Sequence, residues 1–238
     1  THFDDFYKYL VNFSKTTEPI HKWFYYQEGY SPALVNKIIS HIGPIRKDSV
    51  IFDPFTGSGT TLLASKENNL KSIGFEINPF SAFMAEVKTR NYTPGELEIL
   101  RKFKIKDYKI NDPYEKYELK IINKLFDLDT LRKIEQIKKS ITEVQDEKVR
   151  NLLKAILFSI LERVSNYKKG GNGLKRKKNK KKTEVIEEFN RKVDEVISDL
   201  KNAKFGDEPR IINDSCLNLK NYELPKIDIS IFSPPYAN

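Results

Sequence analysis

Two clusters of residues in this chain have the types and spacing that chemistry needs. The first is Asp53-Pro54-Phe55-Thr56-Gly57-Ser58-Gly59-Thr60-Thr61, with Glu76 beyond it. Glycines, lacking Cβ, let the backbone turn sharply and let a ligand come close to the main chain. Glu76 stands 23 residues after Asp53, near the roughly 20-residue spacing at which an acidic residue ending a second strand binds ribose hydroxyls. Together they predict a nucleoside ligand. No Lys-Ser/Thr follows the last glycine, and Leu62 stands where a dinucleotide fingerprint has its third glycine, so a triphosphate or a dinucleotide is disfavoured. The second cluster is Ser233-Pro234-Pro235-Tyr236. Two consecutive prolines fix φ and carry no N–H, so the carbonyls beside the hydroxyl and the aromatic ring are held in place as acceptors. Taken alone, Pro-Pro-Tyr is a polyproline turn with a buried tyrosine, and Asp53 is a helix-capping group.

These residues need elements to position them. Ser49–Asp53 is an apolar run closing on a carboxylate, a helical pattern starts at Leu62 and lasts to about Asn69, and Lys71–Glu76 reads as a second strand. The result is a β-α-β unit. Further strands are predicted at 209–212 and 227–232. Ser31-Pro32 opens a helix to about His41, stopped by Gly43-Pro44, and Asn78-Pro79 caps another to about Thr89. Between Asn91 and about Phe205 the alternation gives way to helical spacing, as in Leu131-Ile134-Ile137-Ile141 and Val149-Leu152-Leu153-Ile156. The expected domains are 1–92, a helical insertion over 93–206, and 207–238.

The wording from Asp53 to Thr61, followed by Gly74-Phe-Glu-Ile-Asn-Pro79, resembles the S-adenosylmethionine motif of the amino-methylating DNA methyltransferases, the cytosine-N4 and adenine-N6 enzymes. Ser233-Pro-Pro-Tyr236, after the apolar strand Ile227–Phe232, resembles that family's second motif, and the order is the non-permuted one. The resemblance implies an α/β, Rossmann-like parallel sheet, present here in its amino-terminal part, with a helical insertion. It also implies S-adenosylmethionine as methyl donor and the amino group of a flipped base as acceptor. Carried over residue by residue, it puts Asp53, Pro54, Phe55, Gly57, Gly59, Thr60, Thr61, Glu76, Ile77 and Asn78 at the cofactor. The stretch His21–Leu34 resembles the remaining cofactor motif, with Trp23 and Phe24 either covering the methionine end or packing the amino-terminal arm. Asp214, with Ser215, takes the position that contacts the adenine amino group, while Asn-Asp-Ser by itself is a turn composition. In the second motif Ser233 and Pro234 hold the amino hydrogens, Pro235 stiffens the backbone and Tyr236 stacks on the base. Serine before Pro-Pro-Tyr favours cytosine N4.

Composition bounds the rest. Hydrophobic residues make up 39% and charged residues 32%, and no apolar run approaches the roughly 18 residues that cross a bilayer, so no membrane partner is expected. One cysteine, Cys216, excludes an internal disulfide, and with three scattered histidines a zinc cluster lacks ligands. The expectation is a metal-free, cytoplasmic protein. The net charge of +9 lies wholly in Lys168, Lys169, Lys175, Arg176, Lys177, Lys178, Lys180, Lys181 and Lys182, for outside that run 33 basic residues face 33 acidic ones. Such a run is a solvated linker or a contact for duplex DNA phosphates. The resemblance covers roughly 17–90 and 207–238, and a seven-stranded sheet would be incomplete, so a fragment or a split enzyme completed by a second polypeptide is expected. The long insertion is not a usual feature of the family at that point. RNA or protein methylation, or a non-catalytic nucleic-acid-binding subunit, are the other classes the residues allow.

Overall fold

A computed structural model describes residues 16–24, 29–170, 173–178, 183–203 and 206–234. Val50–Asp53 (β1) is buried at all four positions, as a parallel strand covered on both faces must be. Its side chains sort by parity. Ile51 joins Val35, Ile39, Ala64, Leu70 and Ile231 in one cluster, while Val50 and Phe52 join Ile73, Phe75 and Ile212 in another. The first cluster lies against Pro32–Ile42 (α1) and Thr60–Glu67 (α2). The second is covered by the 3₁₀ segment Cys216–Asn221 and the chain that follows, where Tyr222 sits edge-on to Phe75 with centroids 5.3 Å apart.

β1 pairs in parallel with Lys71–Phe75 (β2), β2 with Arg210–Ile212 (β3), and β1 on its other side with Ile229–Ser230 (β4), so the strand order is β3-β2-β1-β4. This is the parallel α/β sheet expected from the sequence. Only two residues of the anticipated 227–232 strand bridge, although Asp228 N–H to Val50 O and Ile231 N–H to Phe52 O, at 3.1 and 3.0 Å, extend the ladder. The chain runs outward from β1 to β3 and then returns to β1's other side. Their carboxyl ends therefore share one rim, with the topological switch point between β1 and β4, where open α/β sheets bind ligands.

Helix signals act where they were read. Ser31 Oγ accepts from Leu34 N–H at 3.2 Å and Asn78 Oδ1 accepts from Phe80 N–H at 2.9 Å, starting α1 and Pro79–Thr89 (α3). By contact the chain divides into Thr1–Asn91 with Asn202–Asn238, and Tyr92–Lys201. The second unit is built on Pro94–Lys102 (α4), Leu128–Thr142 (α5), Glu147–Val164 (α6) and Val185–Lys201 (α7). Leu131, Ile137, Leu153, Ile156, Phe189 and Val196 fill its interior. The first part of the basic run, anticipated as a loop, instead forms an antiparallel hairpin of Tyr167–Gly170 and Gly173–Arg176, while Lys180, Lys181 and Lys182 lie outside the described residues. Among the described residues no helix is long and apolar enough to cross a membrane.

Candidate cofactor cleft

The loops leaving the four carboxyl ends enclose a cleft of about 540 Å³. Pro54, Phe55, Gly57 and Thr60 line it from the first loop, Glu76, Ile77 and Asn78 from the second, Asp214 and Ser215 from the third, and Ser233 and Pro234 from the fourth. Residues 177 positions apart, Gly57 and Pro234, thus face one space. Pro235 and Tyr236 lie outside the described residues. A second cleft of about 730 Å³ at the amino ends of the strands is walled by Arg46, Asp48, Lys71 and Asp228. It is more open, its Arg46 is paired with Asp48 at 3.2 Å, and it lies at the wrong end of a parallel sheet for a ligand.

The glycine loop is held by its neighbours. Thr56 N–H donates to Phe75 O at 2.9 Å, Gly57 N–H to Glu76 Oε2 at 2.6 Å, and Asn78 N–H to Glu76 Oε1 at 2.8 Å. Glu76 therefore braces two loops while still facing the cleft, and a carboxylate's remaining lone pairs stay available. Asn213 Nδ2 donates to Glu76 O at 2.7 Å and ties in the third loop. Gly59 caps α2 at φ +84°, and a Cβ there would sit 2.9 Å from Ala85 Cβ of α3. From the same helix Lys88, 1% exposed, donates to Ser58 O at 2.9 Å. Burial pulls its ammonium down to about 7, offset in part by Glu67.

Some expected contacts are replaced by others. Asp53 is fully buried beneath the cleft and does not line it. Its Oδ1 accepts from Phe55 N–H at 3.0 Å and its Oδ2 from Tyr30 O–H at 3.2 Å, with Tyr30 also hydrogen-bonded to Thr61. Asp53 thus holds the loop, and Gly59 and Thr61 support it from behind. Trp23 is buried, and Phe24 stacks edge-on to Phe80 with centroids 5.3 Å apart, so neither lines the cleft. Asp214 both lines the cleft and forms the turn, accepting from Tyr222 O–H at 2.8 Å, Asn218 Nδ2 at 2.9 Å and Ser215 N–H at 2.7 Å. The Tyr222 hydroxyl above all, then Asn218 and the Ser215 N–H, hold its carboxyl below the usual range. Gly29, Tyr30, Thr56 and Leu217 also line the cleft. Tyr30 had a signal, as the last aromatic of the His21–Leu34 stretch; Leu217, 87% exposed, had none.

Burial pushes the Asp53 carboxyl up from 3.8 to about 6, against the hydrogen bonds it accepts. A carboxyl raised in the folded state favours folding while protonated, and that contribution disappears as pH rises through about 6. Above that pH the buried charge costs on the order of 3 kcal/mol. Asp53→Asn keeps the bond from Phe55 N–H, so its thermal midpoint should exceed the parent's by about 6–12 °C at pH 8 and equal it near pH 4. Melting curves at the two pH values check this, and an equal shift at both would sink the assignment.

Parallel sheet, glycine turn, acidic end of β2 and a polar-proline loop after β4 together define a Rossmann-like methyltransferase fold. Residues 2–86 match the model of the DNA methylase family that includes both the N6 and the N4 enzymes. The Type II methyltransferase M.BsoBI of Geobacillus stearothermophilus is 32% identical over 178 residues, 72% of this chain and 34% of that protein. M.AvaI of Nostoc sp. is 28% identical over 96% of this chain and 53% of its own length, and M.MvaI of Kocuria varians 26% over 94% and 55%. No solved structure matches. These findings support an amino-methylating DNA methyltransferase, a family whose methyl donor is S-adenosylmethionine. The chain spans between about a third and just over half the length of these relatives. Two of the matches, over 96% and 94% of this chain, take in the residues of the helical unit as well.

The cleft suits that donor. Among the described residues its charged walls are Glu76 and Asp214, with no lysine or arginine, which fits a cationic sulfonium nucleoside and not a polyphosphate. Phe55, Ile77 and Leu217 give it apolar walls, and its volume lies within the roughly 300–1,000 Å³ usual for small-ligand sites.

Proposed function

We propose that this chain carries the cofactor site and amino-acceptor loop of a restriction-modification DNA methyltransferase that methylates a flipped base, cytosine at N4. The observation that carries this reading is the meeting of Ser233 and Pro234 with Gly57, Glu76 and Asp214 around one cleft. Glu76 takes the ribose hydroxyls, Asp214 takes the adenine amino group, and Ile77 and Leu217 flank the ring. Bound there, S-adenosylmethionine supplies a methyl group on a sulfonium with a neutral leaving group, so little acid-base machinery is required.

The difficulty lies in the acceptor, whose nitrogen lone pair is delocalised into the base. Ser233 Oγ and the Pro234 carbonyl accept its two hydrogens and favour a pyramidal nitrogen, while proline's fixed φ keeps those acceptors from moving. Flipping the base out of a duplex costs a few kcal/mol. Stacking on Tyr236, worth about 1–3 kcal/mol in single-strand complexes, offsets part of that. Alignment provides most of the remaining rate. A cytoplasmic location goes with this reading.

The test is calorimetry with S-adenosylmethionine, followed by transfer of tritiated methyl to duplex DNA and nucleoside analysis. N4-methylcytosine is expected. Ser233→Ala should leave cofactor affinity within twofold and slow transfer about 100-fold, the scale of losing one positioned hydrogen-bonding group. Label in RNA or protein instead of DNA, or no binding of the cofactor, overturns the reading; N6-methyladenine overturns its choice of base.

A further inference from the structure

The hairpin of the second unit pairs Tyr167 with Arg176, Lys168 with Lys175, Lys169 with Leu174 and Gly170 with Gly173. Strand parity sorts these residues onto two faces. One face carries Tyr167, Lys169, Leu174 and Arg176. The other carries Lys168, Lys175 and the two glycines. The four cations are exposed, and Leu174 is 49% exposed beside them.

Taken by itself, this ribbon is poorly made. Lys168 lies directly opposite Lys175, a like-charge pairing that destabilises a hairpin, and glycine in a strand weakens it further. Its base is nevertheless firmly anchored. Lys177 Nζ donates to Glu162 O, Arg163 O and Ser165 O at 2.6, 3.0 and 3.0 Å, capping the carboxyl end of α6, and Asn166 N–H donates to Leu125 O at 2.7 Å. This corrects the place of Lys177 in the basic run, since an ammonium has three donors and all three are engaged by carbonyls. Lys168, Lys169, Lys175 and Arg176 stand on that anchored base, and a polyanion would remove their mutual repulsion.

The faces differ in what they can do. The Lys175 stem lies flat across the opposite strand, so that a Cβ at Gly170 would come within 2.6 Å of Lys175 Cδ. Lys175 thus lies along its face of the ribbon instead of standing off it. The other face projects an arginine, a lysine and an apolar side chain together, the donor and methyl-contact types that read base edges. A two-stranded ribbon fits the major groove of B-DNA, about 12 Å wide.

We propose that this hairpin is a major-groove ribbon, with Lys169, Leu174 and Arg176 turned to the base edges and Lys168 and Lys175 reaching the phosphates along the groove walls. The inference rests on the reading of the chain as a DNA-acting protein. Fluorescence anisotropy of the whole chain on duplex DNA across a salt series, and enrichment from a random-sequence duplex pool, test it. Calorimetry with S-adenosylmethionine and circular dichroism confirm that each variant is folded. Lys168→Gln with Lys175→Gln should reduce the slope of log affinity against log salt by about 2, since each phosphate contact contributes about 0.9, and leave the enriched sequence unchanged. Lys169→Gln with Arg176→Gln should change or abolish the enriched sequence. Methyl green, a major-groove dye, should compete with the parent chain, and netropsin, a minor-groove ligand, should not. Competition by netropsin alone, enrichment of no sequence by the parent, or double variants that match the parent in both readouts overturn the ribbon while cofactor binding still stands. A parent chain that binds cofactor but no DNA overturns the ribbon together with the DNA reading, and one that binds neither overturns the proposed function as a whole.

Discussion

Glu76→Ala should lower affinity for S-adenosylmethionine by about 100-fold or more, and Glu76→Gln by about tenfold. Gly57 N–H and Asn78 N–H meet opposite oxygens of this carboxylate, at 2.6 and 2.8 Å, in a side chain only 9% exposed. A hydrogen bond to a charged group contributes about 1.5–3 kcal/mol, and about 1.4 kcal/mol is tenfold in affinity. Alanine removes both braces as well as the acceptor facing the cleft, leaving two loop N–H groups to find other partners. Glutamine keeps one acceptor oxygen but turns an amide N–H₂ toward the other loop, so one brace fails and the negative charge is lost. Calorimetry reads both, with circular dichroism confirming the fold. If the alanine variant binds within threefold of the parent, Glu76 supports the loop alone and the ribose contact is wrong.

What the sequence disclosed and what it concealed follow from how local each cause is. The places of the four strands along the chain, the caps at Ser31 and Asn78 and the cleft-lining residues on either side of β1 were legible, because each rests on a motif a few residues long. Asp53 was legible as important but not in kind. Its partners Tyr30 and Thr61 come from different elements, and only the folded chain shows that the carboxylate is beneath the cleft. Lys88 carried no sign of its role, since a lysine in a helix reads as a solvated face until its Nζ is found on Ser58 O.

Elsewhere a stronger signal obscured a weaker one. Charge composition made the segment from Lys168 a loop, although Gly171-Asn172, the two residues between the paired Gly170 and Gly173, is a known hairpin dipeptide, because lysine-rich strands have low β-propensity. Net charge also cannot separate Lys177, engaged by three carbonyls, from the exposed Lys175 beside it. In α4 the capping box of Thr93 and Glu96, with Pro94 at the first helical position, was readable. Apolar periodicity missed it because the helix buries only Leu100.

Gly74→Ala should abolish cofactor binding and cost the folded first unit at least about 3 kcal/mol, the upper part of the range for overpacking a core. The sequence contains no third glycine in the loop itself, since Leu62 stands there, but close approach of loop and strand still requires one. It is supplied by β2. A Cβ on Gly74 would overlap Thr56 Oγ1, come within 2.9 Å of Leu62 Cδ1 and lie 3.3 Å from Asp53 O. The backbone φ at this position is ordinary for a strand, so the effect is one of space alone. Relief is impeded on each side, because Thr56 is tied to Phe75 O through its N–H and to Asp53 O through its hydroxyl, and Leu62 is fully buried. Adding Thr56→Ala to Gly74→Ala removes the nearest obstacle and should restore about half of the lost stability, with coupling between the two sites of more than about 1 kcal/mol. Denaturant melts of the four proteins in that cycle measure it, and simple additivity would show that the loop and the strand are not packed against each other at this point.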